Sequence, residues 1–257
     1  MQILEAIILG TLEGATEFLP VSSTGHLILA STLLQIPDSS FLTSFLIAIQ
    51  LGAICAVVAT FWRSFLDLET LKRLFVAFLP TAIIGFTVYP FVKGYLLGNE
   101  FIVVSALFIG GVLMIIFELY FAKKISQANE QEAAISYPQA IAVGFFQSLA
   151  IVPGISRSAA TVVGGLLIGM SRVSIVKFSF LLAVPTMGAA TALDIIKSYD
   201  TFSASSFHLI LIGGSTAFLV ALVAIRFLLG YVSRHTFIPF GIYRIILATV
   251  FFFIVLQ

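Results

Sequence analysis

Charge is scarce in this chain. Only 10% of its residues are Asp, Glu, Lys or Arg, and 60% are hydrophobic, whereas a soluble globular domain carries about 25% charged residues. The apolar surplus would leave much oily surface exposed to water, so the sequence reads as an integral membrane protein with membrane lipids as its solvent. The formal net charge of +1 provides no basic field, and no nucleic acid partner is expected. The single cysteine, Cys55, excludes an intramolecular disulfide; it lies in an apolar run and reads as small buried filler. No cleavable leader is expected either. The first run has no basic n-region and carries Glu5, Glu13 and Glu17, so it is expected to stay in the fold. No Gly-Xaa-Ser-Xaa-Gly elbow, Walker loop or His-Glu-Xaa-Xaa-His pair occurs.

The sequence does contain apolar runs of two lengths. About 20 residues cross the hydrocarbon as a helix, and six runs qualify: 41–62, 76–97, 101–122, 173–197, 206–229 and 237–256. Two regions are shorter. Residues 3–18 and 24–35 are broken by Leu19-Pro20-Val21-Ser22-Ser23, and residues 138–152 and 157–170 by Pro153-Gly154-Ile155-Ser156. Half-length helices around such breaks predict re-entrant hairpins, tolerated at membrane depth only when buried in protein or lining a wet cavity. The expected fold is all-α: a polytopic membrane protein of about six transmembrane helices plus two re-entrant helical hairpins.

The two halves of the single membrane domain, 1–257, resemble each other. An offset of 134 pairs Gly10 with Gly144, Glu13 with Gln147, Ser22 with Ser156 and Thr24 with Ser158; an offset of 135 pairs Ser44–Ala48 with Ser179–Ala183. A first repeat, 1–122, and a second, 137–257, joined by the polar stretch Lys123–Ser136, each hold one hairpin and three spans. Three is odd, so the repeats are expected to be inverted relative to each other. Arg63, Lys72, Arg73, Lys123, Lys124, Arg172, Arg226 and Arg234 fall on one side, with little beyond Lys93 and Lys197 on the other. The first side is expected to be cytoplasmic. Both termini and the first hairpin's mouth then face outward.

The polar residues at the breaks carry the chemistry. A carboxylate in hydrocarbon costs roughly 3 kcal/mol on insertion scales, yet Glu13 and Glu17 lie four residues apart on one helix face. They can hold a divalent cation through oxygen, as Mg2+ or Ca2+ prefers, act as an acid beside a base, or pair with Arg157 structurally. Ser22, Ser23 and Thr24 can cap the following helix or supply a hydroxyl, and that helix start favours an anion. His26, in the first turn, is suited to proton transfer. Arg157 must meet an anion, a carboxylate or a phosphate, and its planar fork suits phosphate oxygens. Glu118, Asp194 and Lys177 lie near span ends, where snorkelling or pairing suffices. Arg244 is deeper and reads as a second phosphate or carboxylate partner. His208 and His235 read as interfacial. Ser23–His26 and Ser156-Arg157 match fragments of the phosphatidic-acid-phosphatase signature, but the histidine and aspartate needed after Arg157 are missing.

Two stretches, Glu13-Gly14-Ala15-Thr16-Glu17-Phe18-Leu19-Pro20-Val21-Ser22-Ser23-Thr24-Gly25-His26 and Pro153-Gly154-Ile155-Ser156-Arg157-Ser158, closely resemble the diagnostic motifs of the bacterial undecaprenyl-diphosphatase family linked to bacitracin resistance. Phe178–Pro185 resembles the family too, and the likeness runs along nearly the whole chain. Ala159 departs from it, standing where a glycine usually follows the second motif; so do Leu46 and Lys177, where some relatives have an acid. The resemblance implies a divalent-metal-dependent plasma-membrane enzyme, acting on the outer side, that removes one phosphate from a polyprenyl diphosphate lipid and so recycles the cell-wall lipid carrier. By motif position it implies functional roles for Glu13, Glu17, Ser23, His26 and Arg157, with Ser22, Thr24, Ser156 and Ser158 lining the site.

On that reading, Arg157, hairpin N–H groups and a metal on Glu13 and Glu17 neutralise the diphosphate, and Ser23 attacks the terminal phosphorus. Glu17 or His26 takes the serine proton, and His26 or the metal assists the leaving oxygen. Attack by a metal-activated water is the competing route. A transporter or lipid flippase is the rival class, since inverted broken helices also build transporters. The oligomeric state is left open, a homodimer included.

Overall fold

The computed structural model describes residues 1–96, 99–126, 135–197 and 207–255. Residues 127–134 of the expected linker lie outside the described residues, as do the side chains of Lys93, Lys123, Lys124, Asp194 and Lys197. The described chain is helical. In order, α1 is Ile3–Thr16, α2 Ser23–Leu33, α3 Ser40–Thr60, α4 Leu68–Phe91, α5 Glu100–Ser126, α6 Tyr137–Ser148, α7 Arg157–Leu167, α8 Arg172–Lys197, α9 Phe207–Val232 and α10 Ile238–Val255. Helices α3, α4, α5, α8 and α9 are long and apolar enough to cross a membrane. The sixth expected span forms as α10, the shortest of the six at 18 residues, about 27 Å at 1.5 Å per residue.

Local chemistry sets several boundaries. α4 begins eight residues before the expected start at 76, because Asp67 caps it: the Thr70 N–H donates to Asp67 Oδ2 at 3.0 Å and the Thr70 hydroxyl at 2.6 Å. Those bonds, the hydroxyl's first, hold the Asp67 carboxyl below its usual range. The next turn is polar, with Lys72 donating to Glu69 at 2.8 Å, so hydropathy alone misses it. α6 opens on a capping box between Ser136 and Gln139. α1 and α6 stop after 14 and 12 residues, each running into a turn.

Small residues decide which helices touch. Gly10 of α1 faces the Gly213 carbonyl of α9, and Gly14 faces that of Ala217; a Cβ at either would collide with backbone. Residue numbers rise together along this contact, so α1 runs parallel to α9. α6 lies along α4 in the same manner, with Gly144 against the Ala77 carbonyl and the Tyr137 hydroxyl donating to Glu69 at 3.1 Å. α3 meets α9 at Gly52 and Gly214, and α5 meets α10 at Gly111 and Gly241. Glu118 of α5, fully buried, accepts both Arg172 Nη groups at 2.6 Å and the Phe237 N–H at 2.9 Å. This one carboxylate ties α5 to the starts of α8 and α10, so pairing is its role. The main core surrounds Phe18, which meets Phe180 of α8 edge to face at 5.3 Å. Phe86 and Tyr120 instead point outward, 88% and 83% exposed, as lipid-facing residues do.

Candidate active site

Each hairpin breaks for a visible reason. After α1 the chain turns through Phe18–Val21, where Pro20 has no N–H to continue a helix and the Val21 N–H bonds back to the Leu19 carbonyl at 2.8 Å. Ser22 then adopts φ 69° and ψ 92°, left-handed backbone that costs a non-glycine residue about 1–2 kcal/mol. α2 starts at Ser23. In the second hairpin Gly154 has φ +91°, and a Cβ there would lie 2.6 Å from the Val103 carbonyl oxygen. Glycine is required on both counts. Ser156 caps α7 by accepting the Ala159 N–H at 3.2 Å, leaving Arg157 as its first residue.

The two breaks meet. Ser23 Oγ donates to Glu17 Oε2 at 2.6 Å, the length of a charge-assisted bond. Arg157 Nη2 donates to Glu17 Oε1 at 3.0 Å, and Nη1 to the Ser179 carbonyl at 2.9 Å. Glu17 is therefore held on one oxygen by the second hairpin and grips the serine with the other. Ser158 Oγ donates to the Phe18 carbonyl at 2.7 Å, stitching the loops together. Glu13, Glu17 and Ser23 are all buried, and Arg157 is 11% exposed.

Two groups here are left without partners. Both carboxylate oxygens of Glu13 and the Nε of Arg157 are buried, and neither group meets a donor or acceptor of its own; the Glu13 carboxyl faces that of Glu17. Unpaired buried polar atoms are costly, and the simple Glu–Arg ion pair leaves Glu13 unexplained. Its two hard oxygens, one helical turn from Glu17, fit a divalent cation. Among the described residues no cluster of three or more His, Cys, Asp or Glu could hold a metal. A cation would therefore take its other ligands from water and phosphate oxygens, as Mg2+ commonly does.

His26 is buried on α2, with both ring nitrogens engaged. Its Nδ1 lies 2.8 Å from the Ser22 carbonyl and its Nε2 2.7 Å from the Tyr243 hydroxyl.

A family model described as "Bacitracin resistance protein BacA" matches residues 6–250. The chain belongs to this family. It is 49% identical over 252 residues to "Undecaprenyl-diphosphatase" of Sulfurihydrogenibium sp. (strain YO3AOP1), covering 98% of this chain and 99% of that protein. It is 48% identical over 257 residues to the Persephonella marina protein of the same name, covering all of both chains. A Campylobacter jejuni protein of that name is 49% identical over 256 residues, 99% of this chain and 95% of its own. With five helices among the described residues long and apolar enough to span, this chain is a multi-pass membrane protein.

Several other residues show contacts that the sequence did not indicate. Arg244 meets no carboxylate among the described residues. It is 1% exposed and donates to four backbone carbonyls: Ala106 and Gly154 at 3.1 Å, Leu107 and Pro20 at 3.4 Å. One guanidinium thus braces both hairpin loops against α5, using carbonyls that a turning backbone leaves free. Cys55 is exposed rather than buried, in the wall of a groove of about 830 Å³ between α3 and α9; the Gly52–Gly214 contact leaves no side chain to cover it. Thr24 is exposed, and the Ser22 side chain makes no capping bond. His208 and His235, read as interfacial, are exposed at the two ends of α9, the latter stacked on Tyr231 at 4.6 Å. Sequence reasoning missed Tyr243. The signal available was a polar-tipped aromatic beside a deep arginine, which is weak without coordinates.

Proposed function

We propose that this chain hydrolyses undecaprenyl diphosphate to undecaprenyl phosphate and inorganic phosphate, returning the lipid carrier to cell-wall synthesis. The observation that carries the reading is the Arg157–Glu17–Ser23 chain, assembled from two hairpins that are 140 residues apart in sequence. A hydroxyl bonded to a buried carboxylate, with a guanidinium beside it, is an activated nucleophile next to an anion site. The names of the relatives state the same activity.

In this mechanism the terminal phosphate sits against Arg157, whose free Nε has a donor to spare. Ser23 Oγ attacks the terminal phosphorus and passes its proton to Glu17 Oε2. The bond from phosphorus to the bridging oxygen breaks, and undecaprenyl phosphate leaves with that oxygen. Water then cleaves the phosphoserine, releasing inorganic phosphate and restoring the serine. His26, one turn along α2, is the group we assign to proton exchange with the leaving oxygen, by way of the Tyr243 hydroxyl that occupies its Nε2. Glu13 and Glu17 would hold a divalent cation, Glu13 chiefly because its oxygens are free; when bound, the cation neutralises phosphate charge. We place the prenyl tail in an apolar groove of about 450 Å³ walled by Ile109, Leu113, Val152, Ile155 and Val163, with Arg244 at its side.

We further read the chain as two inverted repeats, 1–122 and 137–257. The parallel pairing of α1 with α9 and of α6 with α4 supports it, because exchanging the halves turns one contact into the other. With the positive-inside rule, the first hairpin then opens to the periplasmic side.

The test is phosphate release from farnesyl and undecaprenyl diphosphate by purified protein in detergent, with and without EDTA. Release that EDTA abolishes and Mg2+ or Ca2+ restores is expected. No release under any cation, together with ligand movement across vesicles, would replace the hydrolase reading with a transporter.

A further inference from the structure

His26 is fixed from both sides of its ring. The Ser22 carbonyl can only accept, so the Nδ1 at 2.8 Å carries a hydrogen. In the neutral ring Nε2 is then the acceptor, and the Tyr243 hydroxyl at 2.7 Å donates to it. The two rings lie nearly parallel, 8° apart with centroids 5.5 Å apart. His26 is 7% exposed, while Tyr243 is 44% exposed at the surface of α10. Two features around the pair lock this arrangement. The left-handed backbone of Ser22 aims its carbonyl at the imidazole. Arg244, the next residue after Tyr243, is pinned to the carbonyls of Pro20 and Gly154, so α10 cannot slide relative to either hairpin.

We propose that Tyr243 holds His26 in the Nδ1–H tautomer and that the ring exchanges its proton through the tyrosine hydroxyl on Nε2. This rests on the reading of His26 as a proton-exchanging group in phosphate release. A hydroxyl suits the task because it donates to the neutral imidazole and accepts from the imidazolium without moving. A lysine or a carboxylate at this point would favour one charge state of the ring. The tyrosine follows both, so a proton can pass through its hydroxyl in either direction.

The test compares Tyr243→Phe, His26→Ala and the double variant, each purified in detergent with Mg2+ and assayed with farnesyl diphosphate. Tyr243→Phe removes one oxygen and keeps the stacked ring. It is expected to lower kcat about tenfold with KM within about twofold, in the range seen when a group supporting a working histidine is lost. Nitrogen-15 spectra of the labelled histidine should show Nε2 as a hydrogen-bonded acceptor in the parent and an altered tautomer balance in Tyr243→Phe. Because Tyr243 acts through His26, the double variant should be no slower than His26→Ala. Unchanged kcat and unchanged nitrogen shifts in Tyr243→Phe, with His26→Ala impaired, would overturn the proposal. So would additive losses in the double variant. Full activity in His26→Ala would instead remove the underlying role of the histidine, an outcome distinct from failure of the tyrosine alone.

Discussion

Replacing Glu17 by Gln removes one charge and almost no volume, and it acts on both partners of the carboxylate at once. The hydroxyl of Ser23 loses its proton acceptor at 2.6 Å and Arg157 loses its anion at 3.0 Å. General-base assistance is worth roughly 10²–10⁴ in rate, so phosphate release should fall by at least about a hundredfold. The charge pair contributes separately to stability. At an effective dielectric near 20, unit charges 3.0 Å apart attract by about 5–6 kcal/mol before desolvation is counted. Removing one partner of a buried pair costs about 3–5 kcal/mol, so Glu17→Gln should also melt earlier in detergent. The two effects are separable. The double variant Glu17→Gln/Arg157→Met removes both charges, and neutral replacement of a buried pair is commonly tolerated. Its melting temperature should recover toward the parent while its turnover stays low. Two results would refute the reasoning: turnover of folded Glu17→Gln within about threefold of the parent, or a double variant that regains activity along with stability.

Ser23→Ala should lower turnover by at least about a hundredfold and abolish any phosphoprotein trapped by rapid quench; near-normal turnover would leave water as the nucleophile. Glu13→Gln should move the Mg2+ or Ca2+ dose-response to about tenfold higher concentration, read as phosphate release against free cation, because it replaces the carboxylate whose oxygens are unpartnered. Glu118→Gln strips the Arg172 pair of its charge and should cost about 3–5 kcal/mol of stability, seen as a lower melting temperature. Turnover of the folded fraction should stay within about threefold, since Glu118 shares no partner with Glu17, Ser23 or Arg157.

The sequence by itself determined the elements and the chemistry. Apolar runs of two lengths separate spanning helices from broken ones because only about 20 residues cross hydrocarbon, and α1 to α10 follow those runs within a few residues except where Asp67 starts α4 early. Charged groups inside such runs are expensive, so Glu13, Glu17 and Arg157 stood out before any contact was known. Partners were a different matter. Helices that are apolar all round carry no stripe marking which face meets protein, because lipid is as apolar as a core. Only the tertiary structure decided that Cys55 faces a groove, that Ser158 stitches the loops together, and that Arg244 braces carbonyls of both hairpin loops and α5. It alone placed Tyr243 against His26 across 217 positions of chain, a contact fixed by the packing of α10 and its anchored arginine and by nothing local to either residue.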